Sequence, residues 1–205
     1  MEHKKIYLYD VSASNLADWL EKNGEAAYRG KQIRQWLWRG VTSFSEMRNI
    51  SRVLRQKLEK DFYLDQLILL EKIESKLDPT TKYVWRLKDG DVIESVYMSY
   101  KTGTSVCVSS QVGCRMQCQF CASTKAGFGR NLSNGELLAQ IALISKDKAS
   151  RIDHIVVMGI GEPLENYTNL VNFLRTCNNP SVFNISFRKM TVSTCGIIPQ
   201  MLKFA

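Results

Sequence analysis

Ser105-Val-Cys-Val-Ser-Ser-Gln-Val-Gly-Cys114-Arg-Met-Gln-Cys118-Gln-Phe-Cys121 is the stretch on which the reading of this chain turns. Residues 105–109 read as a short strand. Three cysteines then follow in one loop with the spacing C-x3-C-x2-C. Three thiolates held this close repel one another unless they share a cation or a cluster. Structural zinc takes four ligands, commonly from two paired halves, and an ordinary iron–sulfur cluster also takes four cysteines. His3 and His154 are the two imidazoles of the chain, and neither is near in sequence. Three protein ligands leave one position open, which by analogy with catalytic metals marks a reactive site.

Outward from this loop, a rhythm of strand, loop and helix repeats three times. Residues 133–146 read as a helix with Ser133 at its cap and Glu136 at the reciprocal capping position. Residues 154–159 form a near-continuous apolar strand, 167–177 a helix and 189–193 a third strand. Buried apolar strands alternating with helices imply parallel βα units. Three such units do not close a barrel, so the expected fold is α/β with a partial (βα) barrel.

Upstream the period changes. Residues 82–88 and 92–98 alternate around Asp89-Gly90, a hairpin signal. Val92, Glu94, Val96 and Met98 share one face of the second strand, which places a carboxylate in an otherwise apolar row. Such a group is either an edge charge that discourages aggregation or a proton acceptor made more basic by desolvation. The first sixty residues read as three amphipathic helices. Ser12 or Ser14 caps the first, with Leu16, Trp19 and Leu20 inward and Gly24 at its end. The second, over 31–39, buries Ile33, Trp36 and Leu37 and stops at Gly40. Ser51 caps the third, with Val53, Leu54, Leu58 and Phe62 inward.

The 205 residues carry 28 Lys and Arg against 20 Asp and Glu, a net +8. The excess sits in two blocks: 22–60 has ten basic and three acidic residues, and 96–205 has eleven and five. Basic helices followed by a basic C-terminal half suit a polyanion, although a solvated surface with a modest basic excess has the same composition. A hydrophobic content of 44% excludes a disordered or fibrous chain. No apolar run reaches the length of a membrane span, and the start MEHKKIYLYD lacks the pattern of a secretory signal. A cytoplasmic protein without membrane contact is expected, in which cysteines serve as ligands or nucleophiles.

The cysteine spacing, with Phe120 before the last cysteine, resembles the signature of radical S-adenosyl-L-methionine (SAM) enzymes. Cys107-Val-Ser-Ser-Gln-Val-Gly-Cys114, Gly127-Phe-Gly-Arg-Asn-Leu132, Met158-Gly-Ile-Gly-Glu-Pro-Leu-Glu-Asn-Tyr167 and Val192-Ser-Thr-Cys-Gly-Ile-Ile-Pro199 together resemble the adenine C2-methyltransferases of 23S rRNA and tRNA. Tyr28-Arg-Gly-Lys-Gln-Ile33 is similar to that family's N-terminal RNA-binding helical domain.

The resemblance implies a 4Fe-4S cluster on Cys114, Cys118 and Cys121, with SAM on the open iron. It implies SAM contacts from Gly161, Glu162 and Ser193, Glu162 accepting from the amino group. Gly159 and Gly161 are expected to leave room for a ligand against the backbone. One SAM methylates a protein cysteine and a second yields the radical that activates this methyl group for addition to carbon 2. By the same resemblance Glu94 would take the proton from carbon 2, and Cys107 would release the adduct by forming a disulfide with the methyl-bearing cysteine. The implied partners are 23S rRNA, tRNA and an electron donor such as flavodoxin or ferredoxin.

Residues 1–99 would form the helical RNA-binding domain with its hairpin, and 100–205 the N-terminal part of a radical SAM core. The family continues for about half a barrel more, so an incomplete chain lacking the methyl-bearing cysteine is expected. Neither Cys177 nor Cys195 sits at that position; Cys177 reads as packing. Two alternatives stay open: the related adenine C8-methyltransferase, and an RNA- or cluster-binding module without turnover.

Overall fold

The computed structural model describes residues 5–125 and 127–205, so His3 lies outside the described residues. Strand β1 (Ile6–Tyr7) leads to α1 (Ala13–Lys22), α2 (Tyr28–Trp38) and α3 (Arg52–Asp61), after which β2 (Phe62–Tyr63) pairs in parallel with β1. Ser12 caps α1 by accepting from the Asn15 amide, and Ser51 caps α3 by accepting from Leu54. Leu16, Leu20, Ile33, Leu37, Leu54 and Leu58 are buried, as the helical stripes require. Val53, expected inward, is 60% exposed. It stands one residue, about 100° of helix rotation, away from the Leu54–Leu58 row that faces the core.

Strands β3 (Leu67–Glu74), β4 (Thr80–Leu87), β5 (Val92–Tyr100) and β6 (Gly103–Val108) form an antiparallel meander. A hairpin of β7 (Gln111–Gly113) and β8 (Phe128–Asn131) precedes α4 (Asn134–Lys148). Then follow β9 (His154–Val157), α5 (Tyr167–Asn178), β10 (Met190–Val192) and α6 (Ile198–Phe204). The main sheet has the order β10-β9-β6-β5-β4-β3. Its β6, β9 and β10 are parallel, as the βα rhythm predicts. The sheet runs unbroken across residue 100, because β5 pairs with β6 from Val96 opposite Cys107 to Tyr100 opposite Gly103.

The packed face of β5 is the row opposite Glu94. Ile93, Ser95 and Tyr97 are buried, whereas Val92 is exposed and Glu94, Val96 and Met98 are only half-buried. Both rows of β5 are largely apolar, so alternation did not decide between them. The decision comes from α4: Gln140 accepts from the Ser95 hydroxyl at 2.7 Å and from the Ser109 amide at 2.9 Å, pinning that face of β5 and β6 to the helix. Strand β3 and the short β7–β8 hairpin had no sequence expectation.

Helix α4 has buried residues all around its circumference, including Leu137, Leu138, Ile141, Ala142 and Ile144. A helix of that kind lies inside a fold rather than on it. Its amino end is organised by Glu136, whose side chain is 3% exposed. Glu136 accepts from the Ser133 amide at 2.8 Å, from two Arg130 nitrogens at 2.8 Å each and from Gln66 at 2.5 Å. Arg130 also reaches Asp89 in the β4–β5 turn at 2.6 Å. The Glu136 carboxylate beside Arg130 holds that guanidinium even more firmly protonated than usual. Replacing Arg130 by Met would leave a buried carboxylate without its cation. The expected loss is about 3–5 kcal/mol of stability, read by urea denaturation; a loss below about 1 kcal/mol would show that Gln66 and Ser133 suffice.

Candidate active site

The three loop cysteines hang between β7 and β8. At the base of the loop the Cys114 amide donates to Gly127 O at 2.9 Å. Gly113 makes that pinch possible: its φ is +66°, and a Cβ there would stand 1.8 Å from Gly127 O. Cys114 is buried, and Cys118 and Cys121 are half-buried. All three line one cavity of about 190 Å³ together with Gly161, Glu162 and Ser193. These residues come from the loops after β6, β9 and β10, the C-terminal ends of the parallel strands. Burial pushes the Cys114 thiol up, and the neighbouring Cys118 and Cys121 add to the shift. Arg115 lies over the Phe128 ring at 3.9 Å and pairs with Glu165 at 3.3 Å, bracing the loop from outside. Phe120 is 94% exposed at its tip.

Opposite the cysteines, the loop after β9 is set by Gly161, with φ +109°. A Cβ there would lie 2.6 Å from Gln111 Cβ, and one at Gly159 would lie 2.8 Å from the Ser109 amide. Both glycines were expected to make room for a ligand, but the missing Cβ atoms face protein. Their absence lets the loop after β9 close onto that after β6. The Glu162 amide donates to Gln111 Oε1 at 2.7 Å, locking the two loops together.

The Glu162 carboxylate is 3% exposed. Its Oε1 accepts from Leu164 N at 2.9 Å and from the Thr194 hydroxyl at 2.7 Å, and its Oε2 accepts from Cys195 N at 2.7 Å. Ser193 in turn donates its amide to Val157 O at 3.0 Å. Sequence reasoning left Gln111 and Thr194 unmarked and gave Cys195 no task, yet all three shape this wall. Ser-Thr-Cys directly after a strand was the available signal. The Cys195 thiol is pushed up to about 11, first by burial and then by the Glu162 carboxylate.

Glu94 lies in an adjoining cavity of about 500 Å³, which shares Ser123 with the cysteine cavity. Its carboxylate pairs with Lys82 at 2.5 Å, and both side chains are about 40% exposed. Cys107 sits in β6 between Val96 of β5 and Val156 of β9, and it lines neither cavity. Burial raises its thiol, partly offset by a hydrogen bond to the backbone of Met158, a residue of the cysteine-cavity wall. Cys177 is fully buried in α5.

The donors suit a thiophilic group: three thiols facing one cavity match the ligand preference of iron–sulfur clusters and zinc. Among the described residues, no three His, Cys, Asp or Glu side chains already converge on a single ion position. The same wall offers an acidic and a hydroxyl side chain, Glu162 and Ser193, to a polar ligand beside the thiols.

Residues 6–64 match the family model described as Ribosomal RNA large subunit methyltransferase N-terminal domain. A relative from Clostridium novyi, named Probable dual-specificity RNA methyltransferase RlmN, is 44% identical over 199 residues, covering 97% of this chain and 58% of the relative. The protein of the same name from Clostridioides difficile is 43% identical over 205 residues, all of this chain and 60% of the relative. Along nearly all of its own length the chain is therefore similar to these dual-specificity RNA methyltransferases. It spans about 58% of the length of the relatives it matches. The crystal structure of a radical SAM methyltransferase from Sphaerobacter thermophilus shares the fold with a TM-score of 0.90 and 33% identity, covering 97% of this chain and 60% of that one. The expected α/β class with radical SAM topology therefore holds. Among the described residues, no helix is long and apolar enough to cross a membrane.

Thr194 tests the wall itself. In Thr194→Val the Glu162 carboxylate loses its hydroxyl donor while remaining buried. The expected cost is about 1–3 kcal/mol of stability, with Thr194→Ser close to the unmodified chain; equal melting of all three would show the contact to be dispensable.

Proposed function

We propose that this chain is the RNA-facing and cofactor-binding part of a methyltransferase that acts on carbon 2 of adenine in 23S rRNA and tRNA. The observation that carries the reading is the shared cavity, around which Cys114, Cys118, Cys121, Gly161, Glu162 and Ser193 are gathered from three strand ends. Cys114, Cys118 and Cys121 would hold a 4Fe-4S cluster, and Glu162, Ser193 and the Gly161 backbone would receive SAM. When bound, these groups supply the one-electron chemistry that an aromatic C–H needs, since it has no lone pair to attack a methyl sulfonium.

The chain's own residues then have distinct tasks. Glu162 presents a fixed carboxylate to an ammonium group, its orientation set by Leu164, Thr194 and Cys195. Glu94, steadied by Lys82, stands in the adjoining cavity as the acceptor of the carbon-2 proton. Cys107 is kept as a neutral thiol by burial, hydrogen-bonded to the backbone of Met158 in the cavity wall, and serves as the resolving cysteine through a methyl-cysteine route. The basic helices 22–60 face RNA; Arg29 lies over Tyr28 at 4.8 Å and Arg39 over Trp36 at 5.0 Å. A flavodoxin or ferredoxin would supply electrons in the cytoplasm. A second reading is an RNA- or cluster-binding module without turnover.

Anaerobic reconstitution with iron and sulfide is the decisive test. About four irons per chain are expected, with visible absorbance lost in each of Cys114→Ala, Cys118→Ala and Cys121→Ala. Unchanged iron in all three variants, or zinc bound in its place, would sink the cluster assignment. A methyl-transfer assay on 23S rRNA with the same chain then separates the enzyme from the non-catalytic module.

A further inference from the structure

A further cavity, of about 470 Å³, lies away from the cysteines between the amino end of α1, helix α2 and helices α4 and α5. Its size falls within the roughly 300–1,000 Å³ usual for ligand sites. Two guanidinium groups, Arg34 of α2 and Arg175 of α5, line it from opposite sides of the seam. Among the described residues neither has a carboxylate partner: Arg34 makes one hydrogen bond, to Val11 O at 3.2 Å, and lies over Trp38 at 5.1 Å. An arginine carries five N–H donors, so most of the donor capacity of both is unspent.

Burial of Arg34 lowers its pKa, and nothing anionic compensates. A cation left half-buried without counter-charge, as Arg34 is, is costly unless a ligand supplies it. The one carboxylate on the wall is Asp10. It is turned to the amino end of α4, accepting from the Gly135 amide at 2.6 Å. Asn134 at the start of α4 also lines the cavity, and its Oδ1 is buried without a hydrogen-bond partner. Two free guanidinium forks call for phosphate. A buried carbonyl oxygen left over calls for a hydroxyl or amine.

We propose that this cavity binds a ribose-phosphate unit of an RNA backbone, with Arg34 and Arg175 on the phosphate and Asn134 accepting from the 2′-hydroxyl. The proposal rests on the RNA reading above and adds a location for it: a backbone clamp remote from the reacting base. It carries no sequence information, because phosphate and 2′-hydroxyl are common to every ribonucleotide. It spans the seam between the helical segment and the core, so RNA held there would touch both.

The test measures binding of a labelled RNA stem–loop, and of its DNA counterpart, to the full chain across a salt series. Arg34→Gln and Arg175→Gln are each expected to reduce the slope of log K against log salt by about 0.7–0.9, one lost phosphate contact. Arg175 is exposed on α5, so its replacement probes the site without probing the fold. Asn134→Ala is expected to narrow the preference for RNA over DNA. RNA bound with unchanged slopes and preference in all three variants would overturn the cavity assignment alone. No RNA binding by the unmodified chain would overturn the RNA reading as well. Adenosine 5′-monophosphate distinguishes a free nucleotide from a backbone: saturable binding that both arginine substitutions abolish, with RNA slopes unmoved, would also overturn the assignment to RNA.

Discussion

One buried carboxylate, Glu136, sets where four parts of this chain meet. It closes the first turn of α4 through the Ser133 amide, takes both forks of Arg130 from β8 and receives Gln66 from the segment after α3. Arg130 carries the link onward to Asp89 in the hairpin turn. A carboxylate at a helix amino end is favoured by the helix dipole, and a bidentate guanidinium compensates much of its desolvation. The position of the cysteine loop follows from this knot, because β8 is the strand on which the loop returns.

The cysteine cavity is built by the same means at the far end of the sheet. Parallel strands bring the loops after β6, β9 and β10 side by side, but backbone adjacency alone leaves them free to splay. Gln111 holds the first loop to the second through the Glu162 amide, and the Glu162 carboxylate holds the second to the third through Thr194 and Cys195. The two contacts to the Glu162 carboxylate are short and part-buried, and hydrogen bonds to charged groups contribute about 1.5–3 kcal/mol. A carboxylate this well supplied with donors is positioned before any ligand arrives. An incoming ammonium must share it with the chain's own donors.

Much of this architecture was legible from local chemistry. Ser12, Ser51 and Ser133 stand as caps where hydroxyls precede apolar stripes, and the parallel order of β6, β9 and β10 follows from the strand–helix rhythm. The cysteines, Gly161, Glu162 and Ser193 were singled out from their motifs, and the fold places them on one cavity. What stayed hidden depended on contacts between distant segments. The buried face of β5 is chosen by Gln140, forty-five residues from Ser95. The glycines at 159 and 161 serve loops fifty residues upstream. Thr194 and Cys195 matter only because the third strand lies beside Glu162. A single sequence carries residue types and spacing, and these long-range choices are made by packing.

The same packing decides how the helical segment stands relative to the cysteines. Residues 1–99 and 100–205 differ in composition and motif, which gives the two parts expected from the sequence. The structure instead shares a sheet across residue 100 and wraps α4 with both parts. Asp10 reaches Gly135 at the amino end of α4, and Glu46 reaches Lys146 near its other end at 2.6 Å. Two ties along one buried helix suppress rotation as well as separation. A polyanion held on α1–α3 would then have its distance to the cysteine cavity set by side-chain packing rather than by a flexible chain. Positioning of that kind is where a site gains most over free encounter, so on the proposed RNA reading the basic helices would contribute geometry as well as charge.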